Sequence, residues 1–262
     1  MGRIEGAFNA LRAEGKKGFI PFITAGDPDL NTTEELLVEL SLARATVIEL
    51  GVPFTDPMAD GPVIQRASER ALKHRFGLAE VLDVVRRARR RISTPIILFS
   101  YFNPLLQFGI ERLTKEAAEA GIDGVLVTDL IPEEANEVAA HFRAHGLDMI
   151  FLVAPTSTDV RLEMIAKQAS GFIYAVSRAG ITGPRENVSI EAEKLVRRVR
   201  RFSSLPIAVG FGISTRDQVK QVHAFADAVV VGSAIVQEIE SVAGRSDVAS
   251  HIGKFVNDLV PK

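Results

Sequence analysis

The sequence predicts an α/β protein built as a (β/α)8 TIM barrel, a closed ring of eight parallel strands that are each followed by a helix. The length of 262 residues suits one such barrel. Short apolar runs alternate with amphipathic helical runs, and the short runs are apolar throughout, as in strands that are buried on both faces. We therefore expect a single barrel domain over residues 1–262.

Eight short apolar runs are the predicted strands. The second strand–helix unit is longer than the others because it holds two helical stretches, at about Pro62–His74 and Leu78–Arg91. This pattern predicts an extra helix after strand 2, and another extra helix is expected at the N-terminus. The predicted strands are Gly18–Thr24, Thr46–Leu50, Pro95–Ser100, Gly124–Thr128, Met149–Val153, Phe172–Val176, Pro206–Val209 and Ala228–Val231.

Capping signals predict where two of the helices begin. Residues 31–34 have the sequence of a capping box and predict the start of the helix after strand 1. Pro132 is predicted to open the helix after strand 4, because proline suits the first helical turn, and Gly146 follows its predicted end.

Composition narrows the classes of partner and compartment. The chain is 47% hydrophobic with a net charge of −2, which does not indicate a nucleic-acid or membrane partner. Five arginines between Arg86 and Arg91 are either an anion or RNA patch or a solvated helix face, and the solvated face is favoured. The absence of cysteine fits a reducing compartment, so a cytoplasmic location without a signal peptide is expected.

Carboxylates are the reactive side chains expected at the carboxyl ends of the strands, where barrel enzymes place their active sites. The five histidines fall in or beside predicted helices, and no lysine ends a predicted strand. These positions therefore offer no histidine metal cluster, no Schiff-base lysine and no Ser–His pair. The carboxylates are Asp27, Glu49, Asp56, Asp60 and Asp129.

Glu49 and Asp60 are the strongest candidates among them. Glu49 interrupts an apolar strand and is expected to point into the barrel, where burial raises a carboxyl pKa toward the range of acid–base catalysis. Its alternative role is a structural carboxylate held by an arginine or by backbone amides. Asp60 ends a loop rich in proline and glycine, and its alternative role is the N-cap of the next helix. Asp27, Asp56 and Asp129 fit turn or capping roles better.

Glycine turns after the last strands predict a phosphate site. Residues 209–214 and 231–235 place glycines where backbone N–H groups can approach an anion, and the second turn adds a helix N-terminus. Residues 182–184, in the long connection 177–190, add a third such turn. The alternative is that these glycines only make tight turns. Four residues near strand ends either wall a flat apolar ligand or belong to the barrel core: Phe22, Phe99, Leu126 and Tyr174.

One segment carries a family resemblance. The string ELGVPFTDPMADGPVIQ, residues 49–65, closely resembles the signature of tryptophan synthase alpha subunits. The resemblance continues in order through residues 21–28, 101–104, 129–134, 174–183, 209–214 and 231–235, whereas residues 44–46 and 130–132 depart from the family pattern.

The resemblance implies a lyase of tryptophan biosynthesis that splits indole-3-glycerol phosphate into indole and D-glyceraldehyde 3-phosphate. It implies Glu49 as the general acid–base and Asp60 as the partner of the indole N–H. It also implies that this chain holds no cofactor, and that a β subunit with pyridoxal phosphate receives the indole within an α2β2 heterotetramer. The residues implied to surround the substrate are Tyr174, Thr182, Gly183, Phe211, Gly212, Gly232 and Ser233.

Three alternatives stay open from the sequence. The first is another phosphate-binding barrel, such as a sugar-phosphate isomerase or epimerase, which residues 49–65 do not resemble. The second is a free-standing lyase that releases indole without a partner. The third is a catalytically idle barrel that only activates a partner subunit, and the presence of both Glu49 and Asp60 speaks against it.

Overall fold

The protein is a closed barrel of eight parallel strands, as the sequence predicts. The computed structural model describes residues 2–176, 190–210 and 212–261. Each strand pairs with the next along the chain, and the last pairs with the first. The strands are β1 (Gly18–Thr24), β2 (Ile48–Gly51), β3 (Ile96–Ser100), β4 (Gly124–Val127), β5 (Asp148–Val153), β6 (Ile173–Val176), β7 (Ile207–Gly210) and β8 (Ala228–Val231).

Twelve helices lie in the described part of the chain, and every strand is followed by at least one of them. They are α1 (Arg3–Ala13), α2 (Leu30–Leu42), α3 (Pro62–Leu72), α4 (Leu78–Ala88), α5 (Phe102–Phe108), α6 (Ile110–Ala120), α7 (Asn136–Ala144), α8 (Asp159–Gln168), α9 (Ile190–Val199), α10 (Arg216–His223), α11 (Ser233–Val242) and α12 (Val248–Leu259).

The expected extra helices are present, and two more were not expected. Helix α1 precedes the barrel, and α3 and α4 both follow β2, which confirms the prediction. The structure adds α5 before α6 and α12 after α11. Helix α5 has only seven residues, too few to show helical periodicity. Helix α12 comes after the eighth strand–helix unit, so the barrel pattern does not call for it.

Helices α3 and α4 begin at Pro62 and Leu78 as predicted, but both helix starts predicted from capping signals were wrong. Helix α2 begins at Leu30, and its N-cap is Asp29, whose carboxylate accepts a 2.8 Å hydrogen bond from the Thr32 N–H, so residues 31–34 are not a capping box. Helix α7 begins at Asn136, because Pro132 lies in a turn that the Glu134 N–H closes onto the Ile131 carbonyl at 3.1 Å. The local sequence is compatible with both predicted starts. In each case one of the hydrogen bonds just described fixes a different first residue for the helix.

The barrel interior is apolar and is closed at its amino end. Alternate strand residues fill it, since successive strand side chains point to opposite faces. Ile4 and Phe8 of α1 pack against this interior, with the Phe8 ring 6.0 Å from the Phe172 ring. The site is therefore left to the carboxyl end of the strands.

Two further findings bear on possible partners. Arg86, Arg87 and Arg91 form partly exposed ion pairs with Asp83, Glu34 and Glu35, which fits the favoured interpretation of a solvated face, whereas Arg89 pairs with the nearly inaccessible Asp123 and does not fit it. In the described residues, every helix is too short or too polar to cross a bilayer.

Candidate active site

Glu49 lies inside the barrel near the carboxyl end of β2. Its register partners are Phe22 of β1 and Ile97 of β3, and alternation places it on the inward face with Val47. The side chain is 1% exposed, and its Oε1 atom has no hydrogen-bond partner in the described residues. Burial raises the pKa of Glu49 well above its usual range, because a charge there has lost its water.

The other buried carboxylates show how Glu49 differs. Asp27 and Asp123 are also nearly inaccessible, but arginine guanidinium groups lie within 2.8 Å and 2.6 Å of them. Such pairing compensates a buried charge. Among the described residues no cation pairs with Glu49, so its protonated form is favoured and it can donate a proton.

Asp60 ends the loop that leads from β2 to α3. It does not cap the helix, because Gly61 occupies the N-cap position and no side chain caps the first turn; the N-cap alternative is therefore wrong. Burial raises the pKa of Asp60 to about 6, and a hydrogen bond from Tyr101 opposes part of that rise. Asp60 therefore titrates near neutrality, within the range in which a carboxyl can act in catalysis.

Tyr101 is a site residue that the sequence reasoning missed. It directly follows β3, next to β2 in the barrel. Its phenol oxygen accepts a 2.9 Å hydrogen bond from the Ala59 N–H, and its hydroxyl is bonded to the Asp60 side chain. The Phe54 ring lies 5.3 Å from the Tyr101 ring. One tyrosine thus holds both ends of the loop that carries Asp60, and a polar aromatic residue directly after a strand was the available signal.

Apolar side chains line the space between these groups. The Phe22 and Phe99 rings meet edge to face at 5.2 Å, and Val63 and Ile64 from the first turn of α3 pack against them. Phe22, in β1, is also the register neighbour of Glu49. Because the first turn of α3 packs against Phe22, Asp60, which lies just before α3, is brought towards β1 beside Glu49.

Leu126 and Tyr174 lie deeper, in the apolar interior of the barrel. Both are almost inaccessible, so the core alternative describes them as well as the wall does. Burial raises the pKa of Tyr174, and the negative charge of Glu49 adds to the rise, which indicates that the two side chains are close.

Glycines shape the part of the mouth that follows β7 and β8. Gly212 follows β7 with a positive φ of 76° and is exposed. Gly232 is the N-cap of α11, and a Cβ atom there would lie 3.3 Å from the Phe22 Cβ, so glycine lets the helix end approach Phe22. Ser233 begins α11, whose first N–H groups have no partner within the helix and attract an anion.

Three expected site residues lie outside the described part of the chain: Thr182, Gly183 and Phe211. The connection 177–190 is described only at Ile190.

The remaining mouth carboxylates have structural partners or are exposed. Asp27 forms a two-point ion pair with Arg70, and Asp129 accepts a 2.7 Å hydrogen bond from the Phe102 N–H at the start of α5. Asp56 is exposed in its loop. In the described residues, histidine and carboxylate side chains form no group of three or more that could hold a metal ion.

The chain is similar in sequence to a known family over nearly its whole length. The family model described as "Tryptophan synthase alpha chain" matches residues 8–258. The tryptophan synthase alpha chain of Geobacter sulfurreducens is 49% identical over 259 residues, covering 99% of this chain and 98% of that protein. That of Ralstonia nicotianae is 48% identical over 260 residues, covering 99% and 98%.

The chain is also similar in fold to solved structures of the same family. Tryptophan synthase subunit alpha from Legionella pneumophila superimposes with a TM-score of 0.91 at 40% identity, covering 99% of this chain and 97% of that one. A chain of the tryptophan synthase complex from Pyrococcus furiosus superimposes with a TM-score of 0.83 at 39% identity, covering 92% and 97%. The chain therefore belongs to the tryptophan synthase alpha chain family, whose members are enzyme subunits.

Proposed function

We propose that this chain cleaves indole-3-glycerol phosphate to indole and D-glyceraldehyde 3-phosphate, the alpha reaction of tryptophan synthase in tryptophan biosynthesis. The observation that carries the proposal is the pair of unequal carboxyls at one barrel mouth. Glu49 is buried with no paired cation among the described residues, and Asp60 has a pKa near 6 beside Tyr101. One group can donate a proton while the other carries negative charge at neutral pH.

The reaction needs an electron sink, which the substrate supplies. Glu49 donates its proton to indole C3, and the positive charge that develops on the ring nitrogen is stabilised by the Asp60 carboxylate. The Glu49 carboxylate then removes the proton of the side-chain hydroxyl next to C3. The C–C bond breaks as the new carbonyl forms, its electrons return to the ring, and Glu49 is protonated again. General acid–base help of this kind is worth about 10²–10⁴-fold.

Substrate binding divides the mouth into an apolar wall and a phosphate end. Phe22 and Phe99 flank Glu49 and suit a flat indole ring, and Leu126 and Tyr174 form its floor. The N–H groups at the start of α11 suit the phosphate. In this proposal Gly183, Gly212, Gly232 and Ser233 bind the phosphate, and Thr182 and Phe211 also surround the substrate.

The proposed partner is a tryptophan synthase β subunit in an α2β2 heterotetramer, with pyridoxal phosphate bound by the β subunit. The name of the Pyrococcus furiosus relative, a tryptophan synthase complex, supports an assembly of this kind. Three exposed apolar side chains support its location, because they follow three neighbouring strands at the carboxyl rim. Met58 follows β2, Leu106 follows β3 and Ile131 follows β4, with 80%, 52% and 40% of their surfaces exposed. A cytoplasmic location remains a prediction.

An indole-release assay tests the proposal. The purified chain is mixed with indole-3-glycerol phosphate, alone and with a tryptophan synthase β subunit, and the β subunit alone is the control. We expect indole from the chain alone and faster release with the β subunit. If no indole forms under either condition but the chain speeds up the condensation of indole with serine by the β subunit, the chain is instead a catalytically idle barrel that only activates its partner.

A further inference from the structure

We propose that Arg70 is a positioning residue that holds the Asp60 side and the phosphate side of the mouth at a fixed spacing. The inference rests on the proposed function, because it assigns a role to the N-terminal ends of α3 and α11. Its basis is an ion-pair cluster beside the mouth, formed by Asp27, Arg66, Arg70 and Glu240.

Arg70 joins three elements through one guanidinium group. Asp27 lies in the turn after β1. The Nε atom of Arg70 donates a 2.8 Å hydrogen bond to Oδ1 of Asp27, and the Nη2 atom donates one of 2.8 Å to Oδ2. Its Nη1 atom donates a 2.7 Å hydrogen bond to Glu240 of α11. Arg70 itself belongs to α3, so the barrel wall and both helices meet at this side chain. Asp27 is 1% exposed, and a two-point pair with a buried carboxylate is rigid and directional.

The ion pairs of Arg70 with Asp27 and Glu240 form what we call the clamp. The clamp lies at a similar distance from the first residue of α3 and from the first residue of α11. Helix α3 begins at Pro62, two residues after Asp60, and Arg70 is eight residues further on, about 12 Å at the rise of an α-helix. Helix α11 begins at Ser233, and Glu240 is seven residues further on, about 10 Å by the same rise. The clamp therefore sits about two turns behind the two helix ends that the proposed function uses.

The helix segments between the ion pairs of Arg70 and the N-terminal ends of α3 and α11 are tightly packed. Ala67 of α3 and Val236 of α11 are fully buried against Phe22, and the Gly232 backbone closely approaches the same ring. Packed interiors transmit displacement rather than absorb it. A tilt of either helix at Arg70 therefore moves Asp60 relative to Ser233, and a misplacement of 1 Å at a reacting group is enough to lose about 10²-fold in rate.

The geometry requires arginine and offers a matched control. A lysine ammonium is a point charge and cannot present two parallel donors to Asp27 while a third reaches Glu240. Arg66 binds the same Glu240 through 2.9 Å and 2.7 Å hydrogen bonds, but its side chain is 46% exposed. Arg66→Gln removes a charge of the same cluster and leaves the three bonds of Arg70 in place.

The test compares the Asp27→Asn/Arg70→Gln double variant with Arg66→Gln in the full-length chain. The double variant replaces the buried ion pair by two neutral amides, so that no unpaired charge is left inside. Three quantities are measured well below the melting temperature: kcat for cleavage of indole-3-glycerol phosphate, the Kd of glycerol 3-phosphate by calorimetry, and Tm. We expect the double variant to lose at least about tenfold in kcat and to bind glycerol 3-phosphate at least about tenfold more weakly, and Arg66→Gln to stay within about twofold.

Arg70→Lys is the second variant, because it keeps a charge beside Asp27 if the double variant fails to fold. It should change kcat and Kd in the same direction at a Tm near that of the wild type. A lower Tm with unchanged kcat and Kd would reduce Arg70 to a structural role, and equal losses in Arg66→Gln would assign the effect to the charge of the cluster. A wild-type chain that releases no indole refutes the proposed function instead, a result that no Arg70 variant can mimic.

Discussion

At the scale of single residues, the proposed site rests on two carboxyls that have no paired cation in the described part of the chain. Glu49 is buried, and its Oε1 atom has no hydrogen-bond partner in the described residues, whereas Asp60 has Tyr101 as a hydrogen-bond partner. Asp27 is as buried as Glu49 and Asp123 is nearly so, but each is paired with an arginine. The protein thus uses paired carboxylates to fix structure and leaves the uncompensated ones at the barrel mouth.

Replacing Glu49 by glutamine should abolish turnover without abolishing binding. The amide keeps the shape of the side chain but cannot transfer a proton, so we expect kcat to fall by at least about 10²-fold while the Kd of glycerol 3-phosphate stays unchanged. Steady-state kinetics and calorimetry on Glu49→Gln give both values. The exposed Glu35→Gln serves as the control and should keep the rate of the wild type. Full turnover by Glu49→Gln would rule out its role.

Asp60 should affect stability in a pH-dependent way that Asp60→Asn removes. Its pKa rises from 3.8 to about 6 on folding, so the folded chain holds this proton more tightly than the unfolded chain. Protonated Asp60 therefore stabilises the folded state fully below about pH 4, and this stabilisation is lost as the pH rises through about 6. We expect the unfolding free energy of Asp60→Asn, relative to wild type, to rise by about 2 kcal/mol between pH 4.5 and pH 8.

Urea unfolding of both proteins at the two pH values measures this change, with the exposed Asp217→Asn as the reference. The same variant should lose most of its kcat, because a neutral amide stabilises a developing positive charge less well. A stability difference that is flat with pH would mean that Asp60 is not buried enough to titrate as described.

Glu49 could be predicted from the sequence because one charge inside an apolar strand is visible there. The role of Tyr101 could not, because it arises only when the 53–60 loop folds back over the end of the neighbouring strand and presents the Ala59 N–H to the phenol. The charge state of Asp60 likewise depends on tertiary burial, which spacing along the chain does not reveal.

At the scale of elements, strands β6 and β7 fit closely at the site. A Cβ atom on Gly210 would lie 2.1 Å from the Tyr174 hydroxyl oxygen, so only glycine leaves room for the tyrosine ring. We expect Gly210→Ala to displace Tyr174 and to lower kcat/KM by at least about tenfold. Adding Tyr174→Leu to Gly210→Ala should recover part of the stability lost through this clash, because leucine lacks the phenol atoms that the new Cβ atom would meet.

Gly244→Ala is the matched control, since a Cβ atom there would meet no atom within 4 Å and should leave both kinetics and Tm unchanged. Thermal melts and steady-state kinetics of the three variants decide the matter. If Gly210→Ala behaves like Gly244→Ala, the contact between the two strands does not constrain the site.

Element order and the approximate strand bounds could be predicted from the sequence, whereas the starts of two helices could not. Buried parallel strands give continuous apolar runs, so all eight were predicted to within two residues at either end. The starts of α2 and α7 moved because Asp29 and the turn at Pro132 competed with equally good local signals. Helix α5 is too short to be predicted by periodicity alone.

At the scale of the whole molecule, one end of the barrel is closed and the other carries exposed apolar side chains. Helix α1 fills the amino end, and Leu106 and Ile131 stand exposed at the carboxyl rim. Such side chains at a rim are expected where a partner docks.

Charges placed on this rim should weaken binding of the β subunit. We expect the Leu106→Asp/Ile131→Asp variant to raise the Kd for a β subunit by at least about tenfold, because a docked charge loses its water. Its own indole release should stay unchanged when no β subunit is present. Leu42→Asp is the control, because Leu42 is 69% exposed but ends α2, towards the closed end of the barrel. Equal weakening by both variants would place the partner elsewhere; titration calorimetry gives the Kd values.

The most direct test of the central claim is a crystal structure of the Glu49→Gln variant with intact indole-3-glycerol phosphate. We predict the indole nitrogen within hydrogen-bond distance of an Asp60 oxygen, ring carbon C3 beside residue 49, and the phosphate on the backbone N–H groups at Gly232 and Ser233. A substrate bound with its indole nitrogen turned away from Asp60, or with its phosphate outside the turns after β7 and β8, would contradict the account.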